Sequence, residues 1–271
     1  MKTNELKRIK NAVISGILLL LFFGGWQTVL CGGDGCKNPT ILHVDTIAGI
    51  PMVYVDGGSF TMGNGHTKHE DMGENGQPAH SVAIHDYYIG EYEVTQSEWV
   101  AVMDTNPSHF KGDNLPVENV SWFDAVEYIH KLNERTGKHF RLPTEAEWEF
   151  AAHGGNYTHN YKYSGSDDVD KVAWCSNDSD GCHHPVGTKM PNELNLYDMS
   201  GNVWEWCNDW YEPYRSGNQI NPQGPSTGVY RVYRNGFWSE SADDMQITSR
   251  GFSTPDYHDG AIGFRLACDV L

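Results

Sequence analysis

The residues in this chain best suited to chemistry are its cysteines: Cys31, Cys36, Cys175, Cys182, Cys207 and Cys268. In an oxidising compartment such thiols pair. The last four admit three connectivities. Joining Cys175 to Cys182 closes the most local loop, and leaves Cys207 to tie a central segment to Cys268 near the C-terminus. His183 and His184 raise a second use, a metal site shared with Cys175 and Cys182. Adjacent His rings do not turn readily to one ion, and the spacing matches no common zinc pattern. Disulfides are therefore the stronger expectation, with free thiols as a third alternative. Another group is acidic: Glu240, Asp243, Asp244 and His258. Carboxylates with a His can hold iron. A solvated acidic loop is the competing reading, because the chain carries 36 Asp and Glu against 19 Lys and Arg, a net charge of −17.

Three helices must position these residues, and each is marked by its cap. Thr95 and Glu98 form a capping box that opens a helix to about Met103. Ser121 opens a second, with Ala125, Ile129 and Leu132 on one face and Gly137 as its stop. Thr144 and Glu147 open a third, which Gly154 and Gly155 end. Before them, Met52–Val55 and Ser59–Met62 read as short strands around an Asp-Gly-Gly turn. Ser81 to Ile89 alternates like a further strand, and residues 63–80 read as a polar loop. Beyond residue 156 no helical pattern is visible, only turns, short strands and Trp residues with the look of a core.

The sign of the charge argues against a nucleic-acid partner, since binders of phosphate backbones cluster Lys and Arg. Charged residues at 20% and aromatics at 12% exclude a disordered chain. Lys2, Lys7, Arg8 and Lys10 precede an apolar run from Ala12 to Phe23, the pattern of a secretory signal. Residues 1–31 are thus expected to be a signal peptide or a membrane or lipid anchor, 32–49 a linker and 50–271 one domain. Cys31 is the candidate for lipidation, although Leu30 before it is large for such a site. Every variant of this reading exports the domain to the periplasm, cell envelope or cell surface, touching a membrane only through its N-terminal segment.

Several blocks then resemble one family in order along the chain. They are Gly57-Gly58-Ser59-Phe60-Thr61-Met62-Gly63, Glu93-Val94-Thr95 with Trp99, Pro116-Val117-Glu118-Asn119-Val120-Ser121-Trp122, and Arg141-Leu142-Pro143-Thr144-Glu145-Ala146-Glu147-Trp148-Glu149. Asn195 to Trp206 (NLYDMSGNVWEW) and Gly263-Phe264-Arg265-Leu266 complete the set. Together they are similar to the sulfatase-modifying factor, or formylglycine-generating enzyme, family. The resemblance implies an α+β fold related to the C-type lectin fold, low in regular secondary structure. It does not by itself imply the reaction.

In that family, enzymes oxidise a Cys of a target sulfatase to formylglycine with O2, and two Cys hold Cu(I), which soft thiolates suit. Both follow an Arg-Gly-Gly-Ser-aromatic motif. The matching stretch here is Arg234-Asn235-Gly236-Phe237-Trp238-Ser239-Glu240, with Glu240 at the first Cys position and the second falling near Met245. No Cys lies between Cys207 and Cys268. A hard carboxylate and a neutral thioether do not replace two thiolates, so copper and formylglycine-generating activity are not expected. The resemblance also implies a calcium site made by Asp198, the carbonyls of Gly201 and Val203, and Glu205. Acids supply charge there, and a Gly turn lets carbonyls converge on a hard cation. The alternative is that Asp198 caps a turn and Glu205 pairs with a basic group. Arg250 and Arg265 are candidates for buried ion-pair partners.

Three functions compete on this reading. One is a binding module whose C-terminal face, with Trp238, Glu240, Asp243, Phe252, Tyr257 and His258, takes a protein or glycan ligand. One is an oxidoreductase with iron at the acidic loop. The third is a structural subunit of an envelope assembly. A non-catalytic role is the favoured expectation.

Overall fold

The computed structural model describes residues 44–63 and 76–270. The N-terminal basic and apolar stretch, Cys31, Cys36 and most of the expected linker lie outside the described residues. Asp45–Leu271 forms one compact unit. Its start differs from expectation. Strand β1 (Val44–Ile47) and strand β2 (Ile50–Val55) lie side by side in one sheet, so the last residues assigned to the linker are structural.

The expected caps form as read. Helix α1 (Gln96–Met103) is closed by the Thr95–Glu98 box, with Thr95 N donating to Glu98 Oε2 at 2.8 Å. Helix α2 (Trp122–Thr136) starts at Ser121, boxed with Asp124, and stops at Gly137 with φ 67°. Trp122, Ala125, Tyr128, Ile129 and Leu132 form its buried stripe. Trp99 of α1 stacks on Tyr128 of α2 at 5.3 Å, and Phe264 meets both rings edge-on.

Helix α3 (Glu145–Ala152) begins at the Thr144–Glu147 box and is buried at every position. It packs among strands β3 (Gly58–Met62), β4 (His80–Ile84), β7 (Trp204–Trp210) and β9 (Arg231–Arg234). The segment read as one strand from Ser81 to Ile89 is two strands in different sheets. It breaks at His85-Asp86, where Asp86 accepts hydrogen bonds from Gly57 N and Tyr54 Oη at 2.8 and 2.7 Å. Strand β5 (Tyr87–Gly90) then joins the five-stranded sheet β1-β2-β5-β12-β6, with β6 Phe140–Arg141 and β12 Ala267–Asp269.

Strands β10 (Arg250–Ser253), β9, β7 and β11 (Ile262–Gly263) make a four-stranded sheet in that order. Strands β3, β4 and β8 (Gln219–Ile220) make a three-stranded one. A one-turn helix α4 (Val169–Val172) and a 3-10 turn at Ala242–Met245 appear where no helix is legible in the sequence. Among the described residues no helix is long and apolar enough to cross a membrane.

Candidate functional site

The chain leaves β9 at Arg234 and turns through 235–241, where Ser241 caps the Ala242–Met245 turn. This is the stretch that the family motif predicts to carry two reactive thiols. Glu240 is half-buried. Its Oε2 accepts from Phe237 N at 3.2 Å, its own N donates to Phe237 O at 3.0 Å, and its carbonyl accepts from Ser176 N at 2.9 Å. Burial pushes its carboxyl up to about 8, opposed by the Phe237 N–H and assisted by the charge of Asp244. The carboxyl closes its own turn. A carboxyl is in any case a hard donor, unlike the soft thiolates that suit Cu(I).

Met245 is fully buried among Tyr163, Val172, Ala173 and Cys175. A Cβ added to Gly236 would meet the Met245 Cε at 2.4 Å and its sulfur at 2.9 Å, so the thioether fills the space beneath that glycine. The second position thus faces the core, and copper does not fit the donors present.

The acidic loop does not gather into an iron site. Asp244 accepts from Ser241 N and Oγ as a cap. Asp243 pairs with Lys162 at 3.4 Å, and His258 Nδ1 bonds Asn119 Oδ1 at 2.9 Å. Among the described residues no three His, Cys, Asp or Glu side chains converge on a point that could hold a metal. The expected ligand face is also divided. Trp238 packs its indole on Phe110 at 6.0 Å and points Nε1 at Gly260 O, 3.4 Å away. Tyr257 and His258 are exposed nearby in sequence. Phe252, by contrast, stacks on Tyr211 at 3.8 Å and meets Tyr230 at 5.2 Å, a separate aromatic cluster. Cavities of about 330 and 430 Å³ open beside Glu145, Asp209 and Arg250 and beside Arg141, Asn208 and Asp269, and none of the expected face residues lines either.

The disulfide expectation is corrected: Cys175, Cys182, Cys207 and Cys268 are all free thiols. Cys207 belongs to β7 of the four-stranded sheet and Cys268 to β12 of the five-stranded one, and both are buried free thiols. Cys175 is buried in the Met245 cluster, while Cys182 is half-buried in the turn after it, its Sγ toward Ser179 O at 3.7 Å. Burial raises the thiols of Cys175, Cys207 and Cys268, which keeps them protonated. The Cys-His metal alternative fails too. His183 faces Glu118 at 3.5 Å, whereas His184 stacks on Trp174 at 3.7 Å.

The expected calcium ligands have other partners. Glu205, wholly buried, accepts two bonds from Arg265, at 2.7 and 2.6 Å, and one from Trp148 Nε1 at 2.7 Å. Asp198 Oδ2 accepts from Gly187 N at 2.7 Å. The carbonyls of Gly201 and Val203, with that of Asp198, accept from Asn235 Nδ2. The sequence left open a capping role for Asp198 and a basic partner for Glu205, and the contacts made are Asp198 with Gly187 N and Glu205 with Arg265. Glu93 completes the surroundings, accepting from Asn202 Nδ2 at 2.7 Å. Burial, then the charges of Asp198 and Glu205, hold its carboxyl well above the usual range.

Sequence reasoning missed Asn235, Glu93 and the Glu118–His183 pair. Asn235 did carry a signal, since it stands where the resembled motif has Gly. The signature acids of α3 prove architectural: Arg141 clasps Glu147 at 2.7 and 2.8 Å, Arg250 clasps Glu145 at 2.7 Å, and Arg234 reaches Glu149 at 2.7 Å.

Mixed short sheets, three capped helices and long ordered loops define an α+β fold of the C-type-lectin-related sulfatase-modifying-factor type. The sequence profile of the sulfatase-modifying factor enzyme 1-like domain matches residues 44–270, and the chain belongs to that family. It is 33% identical over 251 residues to the chaperone protein LppX of Paenibacillus barcinonensis, covering 74% of this chain and 82% of that one. It is 36% identical over 175 residues to the formylglycine-generating enzyme of Streptomyces coelicolor, covering 58% of this chain and about half, 54%, of the enzyme. Among solved structures, Treponema denticola variable protein 1 superposes with a TM-score of 0.74 at 32% identity, over 86% of this chain and all of that one.

Proposed function

We propose that this domain is a non-catalytic member of its family, exported and used to bind a ligand or partner protein, or to assemble with other envelope components. The observation that carries this reading is the turn after β9. Its first cysteine position holds a half-buried Glu240 bonded to Phe237 N within its own turn, and its second holds a Met245 committed to the core. Neither supplies a thiolate, and no cysteine elsewhere in the C-terminal stretch does so before Cys268. The likeness to a protein named as a chaperone favours a protein over a glycan as the ligand. The N-terminal basic and apolar pattern supports export, with Cys31 as the lipidation candidate. The exposed groups for contact are Tyr257 and His258, with Trp238 half-buried.

Metal analysis of the purified protein tests the reading. No copper or iron at stoichiometric level is expected. One redox metal per chain would point to the oxidoreductase alternative.

A further inference from the structure

Three main-chain carbonyls, those of Asp198, Gly201 and Val203, turn inward on a single buried point. Converging carbonyls beside carboxylates are what a hard cation needs. The point is taken by a side chain instead. Asn235 Nδ2 lies 2.8 Å from Asp198 O, 2.7 Å from Gly201 O and 3.0 Å from Val203 O, while Asn235 Oδ1 accepts from Gly201 N at 2.7 Å. We infer that the Asn235 carboxamide is a built-in replacement for the cation, so that this hub, and the folding of the domain around it, is independent of calcium.

Several independent features agree. Asn235 is 1% exposed and every polar atom of its side chain is used. Its backbone has φ 88°, a region that favours glycine and that Asn tolerates better than most residues. A residue with a side chain is therefore kept at a position suited to one without. Gly201, with φ 85°, must remain glycine, because a Cβ there would come within 2.4 Å of Trp174 O, and this close approach aims its carbonyl inward.

Charge points the same way. Both oxygens of Glu205 are committed to Arg265 and Trp148, and one oxygen of Asp198 to Gly187 N. Of these four carboxylate oxygens, Asp198 Oδ1 is the one left without a partner. Calcium takes about 6–8 oxygens. One free oxygen and three carbonyls already facing an N–H donor do not make that set. A carbonyl that accepts from an amide at 2.7–3.0 Å cannot also coordinate an ion in the same direction.

Thermal melting of the purified protein in chelator and in millimolar calcium is the primary test. The melting temperature is expected to be the same in both. A calcium-dependent rise of about 5 °C or more would overturn the inference, because a ligand bound only to the native state must stabilise it. Asn235→Asp keeps the side chain's shape but removes both N–H donors and sets a negative charge against three carbonyls. In chelator it is expected to melt roughly 5–10 °C lower than the parent. An unchanged melting temperature would contradict a donor role. Asn235→Gly relieves the backbone and opens the hub. It too is expected to melt below the parent in chelator, and stability equal to the parent's would overturn the account. Should either variant fail to fold, the comparison of the parent with and without calcium still decides.

Discussion

Two buried acidic regions of this protein solve the same problem differently. Around α3, Glu145 and Glu149 face Arg234 and Arg250, and Glu147 faces Arg141, so each of these three helix carboxylates has a guanidinium. Around the start of β7, Glu93, Asp198 and Glu205 share one buried cation, Arg265. The first region answers charge with charge, and Glu145 is accordingly held below its ordinary value by Arg250 and Arg234 despite its burial. The second answers with neutral donors and with protons. Asn202 Nδ2 and Val203 N donate to Glu93 and Gly187 N to Asp198, and burial pushes Asp198 up to about 6 against the bond from Gly187. Buried carboxylates that outnumber their cations must be protonated or bonded by neutral donors, since an unpaired buried charge costs several kcal/mol.

The sharpest way to break this contrast is to remove a guanidinium from each side. Arg265→Ala strands Glu205 and takes the sole cation from three acids. It should cost about 3–5 kcal/mol in urea unfolding. Arg250→Ala leaves Glu145 its bonds to Arg234 and to Tyr214 Oη, at 3.0 and 2.9 Å, and should cost about 2 kcal/mol. Equal losses would show that the count of cations does not matter.

Asp209 extends the comparison to pH. Burial, then the charge of Glu145, push its carboxyl up from 3.8 to about 8. A raised carboxyl means that the folded state holds a proton the unfolded chain has released. Its stabilising contribution is therefore complete below the unfolded value and is lost as pH rises through about 8. Glu145, lowered, behaves oppositely: its contribution is present above the unfolded value and is lost as pH falls. Asp209→Asn should flatten the decline in stability between pH 4 and about 8 and gain most at the alkaline end, while leaving the acid limb governed by Glu145 unchanged. A variant with the parent's full profile would remove Asp209 from the account.

Smaller still is the cap. Thr144→Ala frees Glu147 N from its 3.2 Å bond and should cost about 1 kcal/mol. At the bottom of the scale, Lys131→Ala breaks only an exposed pair with Glu127 and should cost less than about 0.5 kcal/mol.

Local rules read well from this sequence where the interaction was local. Thr95, Ser121 and Thr144 announce their helices because a cap and its box partner lie three residues apart. Of the long-range features, Arg250 and Arg265 were legible as buried ion-pair partners, but the full set of acids and bases around them was not. Glu145 and Glu149 meet Arg234 and Arg250 from 85 or more positions away, a pairing that no local pattern encodes. The break between β4 and β5 depends on Asp86 reaching Gly57, which alternation alone does not encode. The disulfide expectation rested on cysteine count and compartment, and neither fixes which thiols the fold brings together. At the candidate site, the absence of the thiol pair was visible in the motif, but the role of Asn235 was hidden in a single Gly-to-Asn departure.

The central claim is that the turn after β9 has lost the chemistry of the family's enzymes. The direct measurement is mass spectrometry of a sulfatase-motif peptide incubated with the purified protein, Cu(I) and O2, beside a formylglycine-generating enzyme as control. The peptide should keep its cysteine intact, and should do so even with the Glu240→Cys, Met245→Cys double variant, because position 245 faces the core. Conversion of that cysteine to formylglycine by the unaltered protein would contradict the account.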